Sequence, residues 1–167
     1  MAVVPAPGYP WTPRQRRVLS ELHPDLRGRV EHALESLGYR LVPICGHRPN
    51  AEQARLFAQG RTTPGRIVTH APPGYSPHNY APSLAVDLCL NVARVAVGPH
   101  PDDPSVLNAW ETRKEYPEAL KAWEDLGLAT YDVGLEWGGR WTGGKKDRPH
   151  VELLNWRSYI PPGQAPK

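Results

Sequence analysis

A single domain that mixes helices with short strands is the fold class the sequence predicts. Three observations carry it. Apolar residues recur at three- and four-residue steps between Pro13 and Leu37, the period of an amphipathic helix. Short apolar runs stand at Tyr39 to Cys45 and Leu84 to Val92, strand-like in length and composition. The 167 residues suffice for one ordinary domain whose core needs no disulfides, and leave no room for a second full domain.

Residues 1–13, rich in Pro, Gly and aromatic side chains, read as an irregular lead, followed by one domain over residues 14–160 and a Pro-rich tail at 161–167. Val18, Leu19, Leu22, Leu26, Val30, Ala33, Leu34 and Leu37 form the helical pattern. Pro24 splits it into two helices at His23-Pro24-Asp25, because a proline inside a helix removes a hydrogen bond and clashes with the preceding turn. Gly38 supplies the stop. In the strand Tyr39 to Cys45, Pro43 demands an edge position or a bulge. Asn50 is suited to cap a helix over 51–59, with Gly60 past its end. The five prolines of residues 61–83 make that stretch mostly loop, and loops of this length in compact domains commonly line sites. Leu84 to Val92 is the clearest buried strand. A Pro-rich turn at 98–104, a helical pattern from Ser105 to Leu126 in two pieces broken near Pro117, a strand and turn at Gly134 to Trp141 and a last strand at Pro149 to Leu154 complete the chain.

Charge and composition narrow the function classes. Twenty basic against 17 acidic residues give a net charge of +3, compatible with a soluble surface or with attraction to a polyanion such as an anionic membrane or a bacterial wall. The basic residues follow no duplex-binding motif, which argues against specific nucleic-acid binding. No segment approaches the ~20 apolar residues of a membrane span. The start, Met1-Ala-Val-Val-Pro-Ala-Pro-Gly, has neither the basic opening nor the apolar stretch of a signal peptide, so synthesis as a soluble cytoplasmic protein is expected, with any action beyond the membrane assisted by another protein. Cys45 and Cys89 match no cysteine-based metal spacing. Each lies in an apolar run, so buried thiols are expected, with a disulfide between neighbouring strands as the alternative. Trp110, Trp123, Trp137, Trp141 and Trp156 lie in or beside apolar segments and read as core or cleft walls.

The chemistry begins at Asp87, the one charge inside the apolar strand Leu84 to Val92. A buried carboxylate needs a positive partner, which is either an Arg or Lys side chain or a metal ion. His78 stands in the loop feeding that strand and His150 opens the last one. Two imidazoles and a carboxylate are the three-protein-ligand set of catalytic zinc, with a fourth position left for water. Asp147, three residues before His150, could serve as the base such a water requires, or be one more exposed charge in Lys145-Lys146-Asp147-Arg148.

Ser76-Pro77-His78-Asn79-Tyr80, Leu84-Ala85-Val86-Asp87-Leu88 and Asp147-Arg148-Pro149-His150 together resemble the peptidoglycan-cleaving zinc peptidases, which include D-alanyl-D-alanine carboxypeptidases and phage L-alanyl-D-glutamate endopeptidases. Gly46-His47-Arg48 with Gln53, Gln59-Gly60-Arg61-Thr62 with Pro64-Gly65, Ile67-Val68-Thr69 and Gly134-Leu135-Glu136-Trp137-Gly138-Gly139 follow the same family's order, so the likeness covers roughly residues 20–154. It implies an α+β fold, with a small, mainly antiparallel sheet carrying one zinc ion and helices packed on one side. It also implies zinc ligation by His78, Asp87 and His150, general-base action by Asp147, carbonyl polarisation by Arg48, and substrate contacts from Ser76 and Gln53. Peptidoglycan is the partner it implies, acted on in the periplasm by a monomer.

The Gln59 and Gly134 segments look most like the phage L-alanyl-D-glutamate endolysins. A D-alanyl-D-alanine carboxypeptidase is the first alternative, and a non-catalytic, zinc-stabilised wall-binding or structural phage protein the second. Three departures from the family pattern stand out. Ala81-Pro82-Ser83 lengthens the step from His78 to Asp87 to nine residues, so that loop must bulge. His47 replaces a common tyrosine, and Arg140 a common acidic residue, and both changes bear on substrate preference.

Overall fold

The computed structural model describes residues 11–164; most of the N-terminal lead and the end of the C-terminal tail lie outside them. Chain order is α1 (Pro13–Ser20), α2 (Pro24–Ser36), β1 (Leu41–Cys45), α3 (Asn50–Ala58), β2 (Ala85–Leu90), α4 (Pro117–Asp132), β3 (Leu135–Trp137) and β4 (His150–Leu153). The four strands form an antiparallel sheet in the order β1-β2-β4-β3, which bears out the α+β class.

Local chemistry sets the helix starts. Thr12 and Gln15 cap α1 reciprocally, the Gln15 N–H donating to Thr12 Oγ1 and the Thr12 N–H to Gln15 Oε1, which satisfies amide groups otherwise left without partners. Trp11, the first described residue, is buried edge-on against Tyr39. Pro24 does divide the first helical run, and His23 caps α2 through Nδ1. At α3 the expectation is off by one: Pro49 is the cap, without a side-chain bond, and Asn50 is the first helical residue. Pro43 sits on the edge strand where the β1–β2 register shifts, the place a residue lacking an N–H can occupy.

Strand alternation divides the sheet into two chemistries. Val86, Leu88 and Leu90 of β2 are almost wholly buried and belong to the core. There, Val30, Ala33 and Leu34 of α2 meet Leu126 and Thr130 of α4 and Val151 of β4. Asp87 points to the other face, opposite His150 in the register. Helix α4 approaches the sheet closely because Gly127 has no side chain: a Cβ there would lie 2.6 Å from the Trp137 ring.

The largest departure from expectation is residues 105–116, which are turns rather than the first piece of a helix. Helix α4 begins at Pro117 and runs to Asp132, beyond the expected end at Leu126. Glu111 explains the difference. Its fully buried carboxylate accepts the backbone N–H groups of Gly98, Thr112 and Arg113 and the guanidinium of Arg113, so the chain wraps around an acceptor instead of closing its own helical ladder.

Those bonds, led by Arg113 and opposed by burial, hold the Glu111 carboxyl down at about 2. A depressed folded-state value stabilises the fold above the ordinary 4.5, and that contribution is lost as pH falls from there toward 2. Melting temperatures followed against pH should therefore show wild type above Glu111→Gln at neutral pH, with the two curves closing on each other as pH approaches 2.

Candidate active site

Three separate elements bring the implied ligands together. Asp87 lies in the middle of β2 and His150 opens β4 directly across from it. His78 sits in a 3₁₀ turn, Pro77–Asn79, whose start is capped by Ser76: Ser76 Oγ accepts the His78 N–H, and Asn79 Oδ1 accepts the Ser76 N–H. The lengthened loop between His78 and β2 is absorbed by pinning it to the α1–α2 junction. The Ser83 N–H donates to the Glu21 carbonyl, the His23 N–H to the Ser83 carbonyl, and the Leu84 N–H to the Pro77 carbonyl. His78 thereby reaches Asp87 despite the longer step.

The resulting triangle is tight. His78 Nε2 is 3.2 Å from both Asp87 Oδ1 and His150 Nδ1, and His150 Nδ1 is 3.4 Å from Asp87 Oδ1. Ligands about 2.0–2.1 Å from a tetrahedral metal stand about 3.3–3.4 Å apart. The outer ring nitrogens are already committed: His78 Nδ1 lies 2.7 Å from the Gly46 carbonyl and His150 Nε2 lies 2.7 Å from Glu152 Oε2. Both partners accept only, so those nitrogens carry the protons, and Nε2 of His78 and Nδ1 of His150 turn their lone pairs inward. Lone pairs converging beside a carboxylate require a positive charge between them. A metal ion fits this donor set.

The electrostatics show the same demand for positive charge. Burial would lower His150, but the Asp87 and Glu152 carboxylates outweigh it and lift it to about 10, so a proton on Nδ1 meets that demand until a metal ion displaces it. Burial would raise Asp87, but His78 and His150 hold it well below the usual carboxylate range. Asp87 has the basic side chain its sequence position asked for, since Oδ2 accepts Arg48 Nη2 at 2.9 Å, while Oδ1 faces the two histidines.

Around the triangle opens a cleft of about 560 Å³, lined by Arg48, Ser76, Trp110, Trp141, Asp147 and the three candidate ligands among others. Asp147 faces this space. Desolvation by the walls and repulsion from Asp87 raise its carboxyl pKa, against the pull of His150, His78 and Arg48. Its backbone is fixed by donation from its N–H to the Gly138 carbonyl, and only glycine fits at 138, where a Cβ would run into the Asp147 carbonyl oxygen.

The other expected site residues divide. Ser76 is in the cleft wall. Gln53 is fully buried behind it, accepting from Arg48 Nη1 and donating to the Ala71 carbonyl and Thr69 Oγ1; its place is behind Arg48 and the 69–71 strap rather than against substrate. Neither His47 nor Arg140 lines the cleft: the His47 N–H bonds Glu21, and Arg140 reaches the Gly127 carbonyl and lies over Tyr131. Trp110 and Trp141 are cleft walls, while Trp123, Trp137 and Trp156 are buried in the core.

Two neighbours escaped the sequence reading. Glu152 orients His150, and the alternation His150-Val151-Glu152 was its one signal. Cys45 places Sγ within 4.8 Å of ligand atoms on His78 and Asp87 and beside Arg48 Nη2. Cys45 and Cys89 are both free, so the disulfide alternative is not realised, and burial pushes the Cys89 thiol up to about 11. Removing the carboxylate with Glu152→Gln should weaken metal affinity by about 10–100-fold, measured by competition with a chromogenic chelator.

A metal-type donor set with a neighbouring carboxyl group, at the floor of a cleft on an antiparallel sheet, fits a hydrolase of the metallopeptidase class. Comparison with known proteins agrees. The family model described as D-alanyl-D-alanine carboxypeptidase matches residues 69–153, a span that holds His78, Asp87, Asp147 and His150. The peptidoglycan L-alanyl-D-glutamate endopeptidase CwlK of Bacillus subtilis (strain 168) is 33% identical over 141 residues, covering 82% of this chain and 76% of that protein. The crystal structure of the Serratia marcescens L-Ala D-Glu endopeptidase ChiX has the same fold, with a TM-score of 0.53 at 22% identity over 89% of this chain and 92% of that one. The chain belongs to the family of peptidoglycan-cleaving metallopeptidases. No helix among the described residues is long and apolar enough to cross a membrane.

Proposed function

We propose that this chain is a zinc peptidase that hydrolyses the L-alanyl-D-glutamate bond of peptidoglycan stem peptides. The observation that carries the reading is the inward-facing triangle of His78 Nε2, Asp87 Oδ1 and His150 Nδ1 at the floor of an open cleft. Its chemistry asks for a borderline-soft divalent cation with a vacant position. The likeness to CwlK along most of both chains supports the choice of bond.

Zinc bound there supplies a Lewis acid and lowers the pKa of water. The chain's own residues do the rest. Asp147 takes the proton from the attacking water and hands it to the departing amine, a double duty suited to a carboxyl whose pKa is raised. Arg48, anchored by Asp87 and Gln53, offers a rigid fork of donors in the same cleft to the carbonyl oxygen as charge builds on it. Ser76 contributes to the wall beside His78 and holds its turn.

A phage-type endolysin, made in the cytoplasm and acting as a monomer on the wall after release, is the biological form we assign. Its support is the likeness of the Gln59-Gly60-Arg61-Thr62 and Gly134 to Gly139 segments to such enzymes. The description of the matching family model favours a second reading, a D-alanyl-D-alanine carboxypeptidase. Digesting purified peptidoglycan separates the two. New amino-terminal D-glutamate is the expected product, and free D-alanine without it would establish the second reading.

A further inference from the structure

Lys145 and Lys146 line the cleft on the side of Asp147, and neither ammonium group has an ion-pair partner among the described residues. The acidic groups on the floor are spoken for: Asp87 is paired with Arg48 and Glu152 is bonded to His150. Two unneutralised cations therefore stand at a cleft whose other free charge is the Asp147 carboxylate.

That position has chemical meaning on the proposed reading, on which this inference rests. The glutamate of a stem peptide is joined onward through its side-chain carboxyl, which leaves its α-carboxyl free. The carbon bearing that group also bears the nitrogen released on cleavage, so carboxylate carbon and leaving nitrogen are about 2.5 Å apart. Asp147 must reach that nitrogen to protonate it. The substrate carboxylate is thereby brought to the Asp147 side, where like charge would oppose it. The two residues preceding Asp147 in the chain are lysines, and consecutive Cα atoms are only about 3.8 Å apart. The loop carrying them is fixed at both ends, the Lys145 N–H donating to the Thr142 carbonyl and the Asp147 N–H to the Gly138 carbonyl.

We infer that Lys145 and Lys146 form an anion subsite for the free α-carboxylate of the D-glutamate residue on the leaving side of the scissile bond. The subsite makes the enzyme selective for stems bearing that carboxylate over stems in which it is amidated. An α-amide keeps the size but loses the charge, and a site built to pair an anion discriminates against it.

The test uses two acetylated L-alanyl-γ-D-glutamyl-L-lysine peptides, one with the α-carboxylate and one with the α-carboxamide, and the zinc-loaded full chain. Wild type is expected to prefer the carboxylate in kcat/KM by on the order of tenfold, a factor set by exposed, charge-assisted contacts. The Lys145→Met/Lys146→Met variant, which keeps much of each stem's length and apolar character, is expected to bring the ratio close to one. Its zinc content and melting temperature are measured alongside to verify the fold. Rising salt should shrink the wild-type preference. Equal cleavage of both peptides by wild type, or an undiminished preference in the double variant, overturns the subsite and leaves the peptidase reading intact. Cleavage of neither peptide, with D-alanine released from a D-alanyl-D-alanine substrate, overturns the L-alanyl-D-glutamate endopeptidase reading and the subsite with it.

Discussion

Asp147→Ala is expected to lower kcat on peptidoglycan by about 10²–10⁴-fold, the range for loss of a positioned proton carrier, while the protein keeps its metal. The separation follows from the geometry. Asp147 lies in the cleft wall but outside the His78, Asp87 and His150 triangle, so its removal deletes the proposed proton carrier and leaves the donor set whole. Asp147→Asn should behave alike, since the amide preserves shape and cannot accept a proton from water. Parallel turbidity assays on outer-membrane-stripped cells and metal analysis of the same preparations check both halves. A variant that still lyses cells at the wild-type rate would remove Asp147 from the mechanism.

His150→Ala is the second large effect, expected to abolish metal uptake and activity together. It deletes one corner of the triangle and leaves the Glu152 carboxylate, which His150 contacts at 2.7 Å, without that partner, while Asp87 keeps His78 and Arg48. A largely buried carboxylate stripped of its partner is costly, so a lower melting temperature should accompany the loss of function. Chelation of wild type should mimic the activity loss, and added zinc should restore wild type but not the variant. His78→Ala is expected to match His150→Ala in metal binding, because His78 contacts the other two corners at the same distance.

The parts of this site that were legible in the sequence are those where a residue type is anomalous in its surroundings. A carboxylate in the middle of an apolar strand demanded a cation, and the structure supplies candidates from both directions: the guanidinium of Arg48 on one oxygen and the inward-facing histidines on the other. The break at Pro24 and the edge position of Pro43 were legible for a similar reason, since proline's missing N–H restricts where it can stand. What was not legible depends on distant partners. Residues 105–116 carry apolar side chains at helix-like spacing, yet Val106 and Leu107 end up about half exposed because the Glu111 carboxylate draws the local amides around itself. Gln53 read as a substrate contact because its place in the chain matches the family. Its burial behind Arg48 depends on the strap at Thr69 and Ala71, which no local pattern announces. Glu152 carries no anomaly of its own: alternation along β4 sets it on the same face as His150, and only the orientation of that ring brings Nε2 to its carboxylate.

Zinc-edge X-ray absorption on the purified protein loaded with one equivalent of metal tests the central claim most directly. The expected spectrum has only nitrogen and oxygen neighbours, about 2.0–2.1 Å away, with the multiple-scattering signature of two imidazoles. A sulfur shell near 2.3 Å, the mark of Cys45 displacing a histidine, or a spectrum of hydrated zinc without imidazole would contradict it.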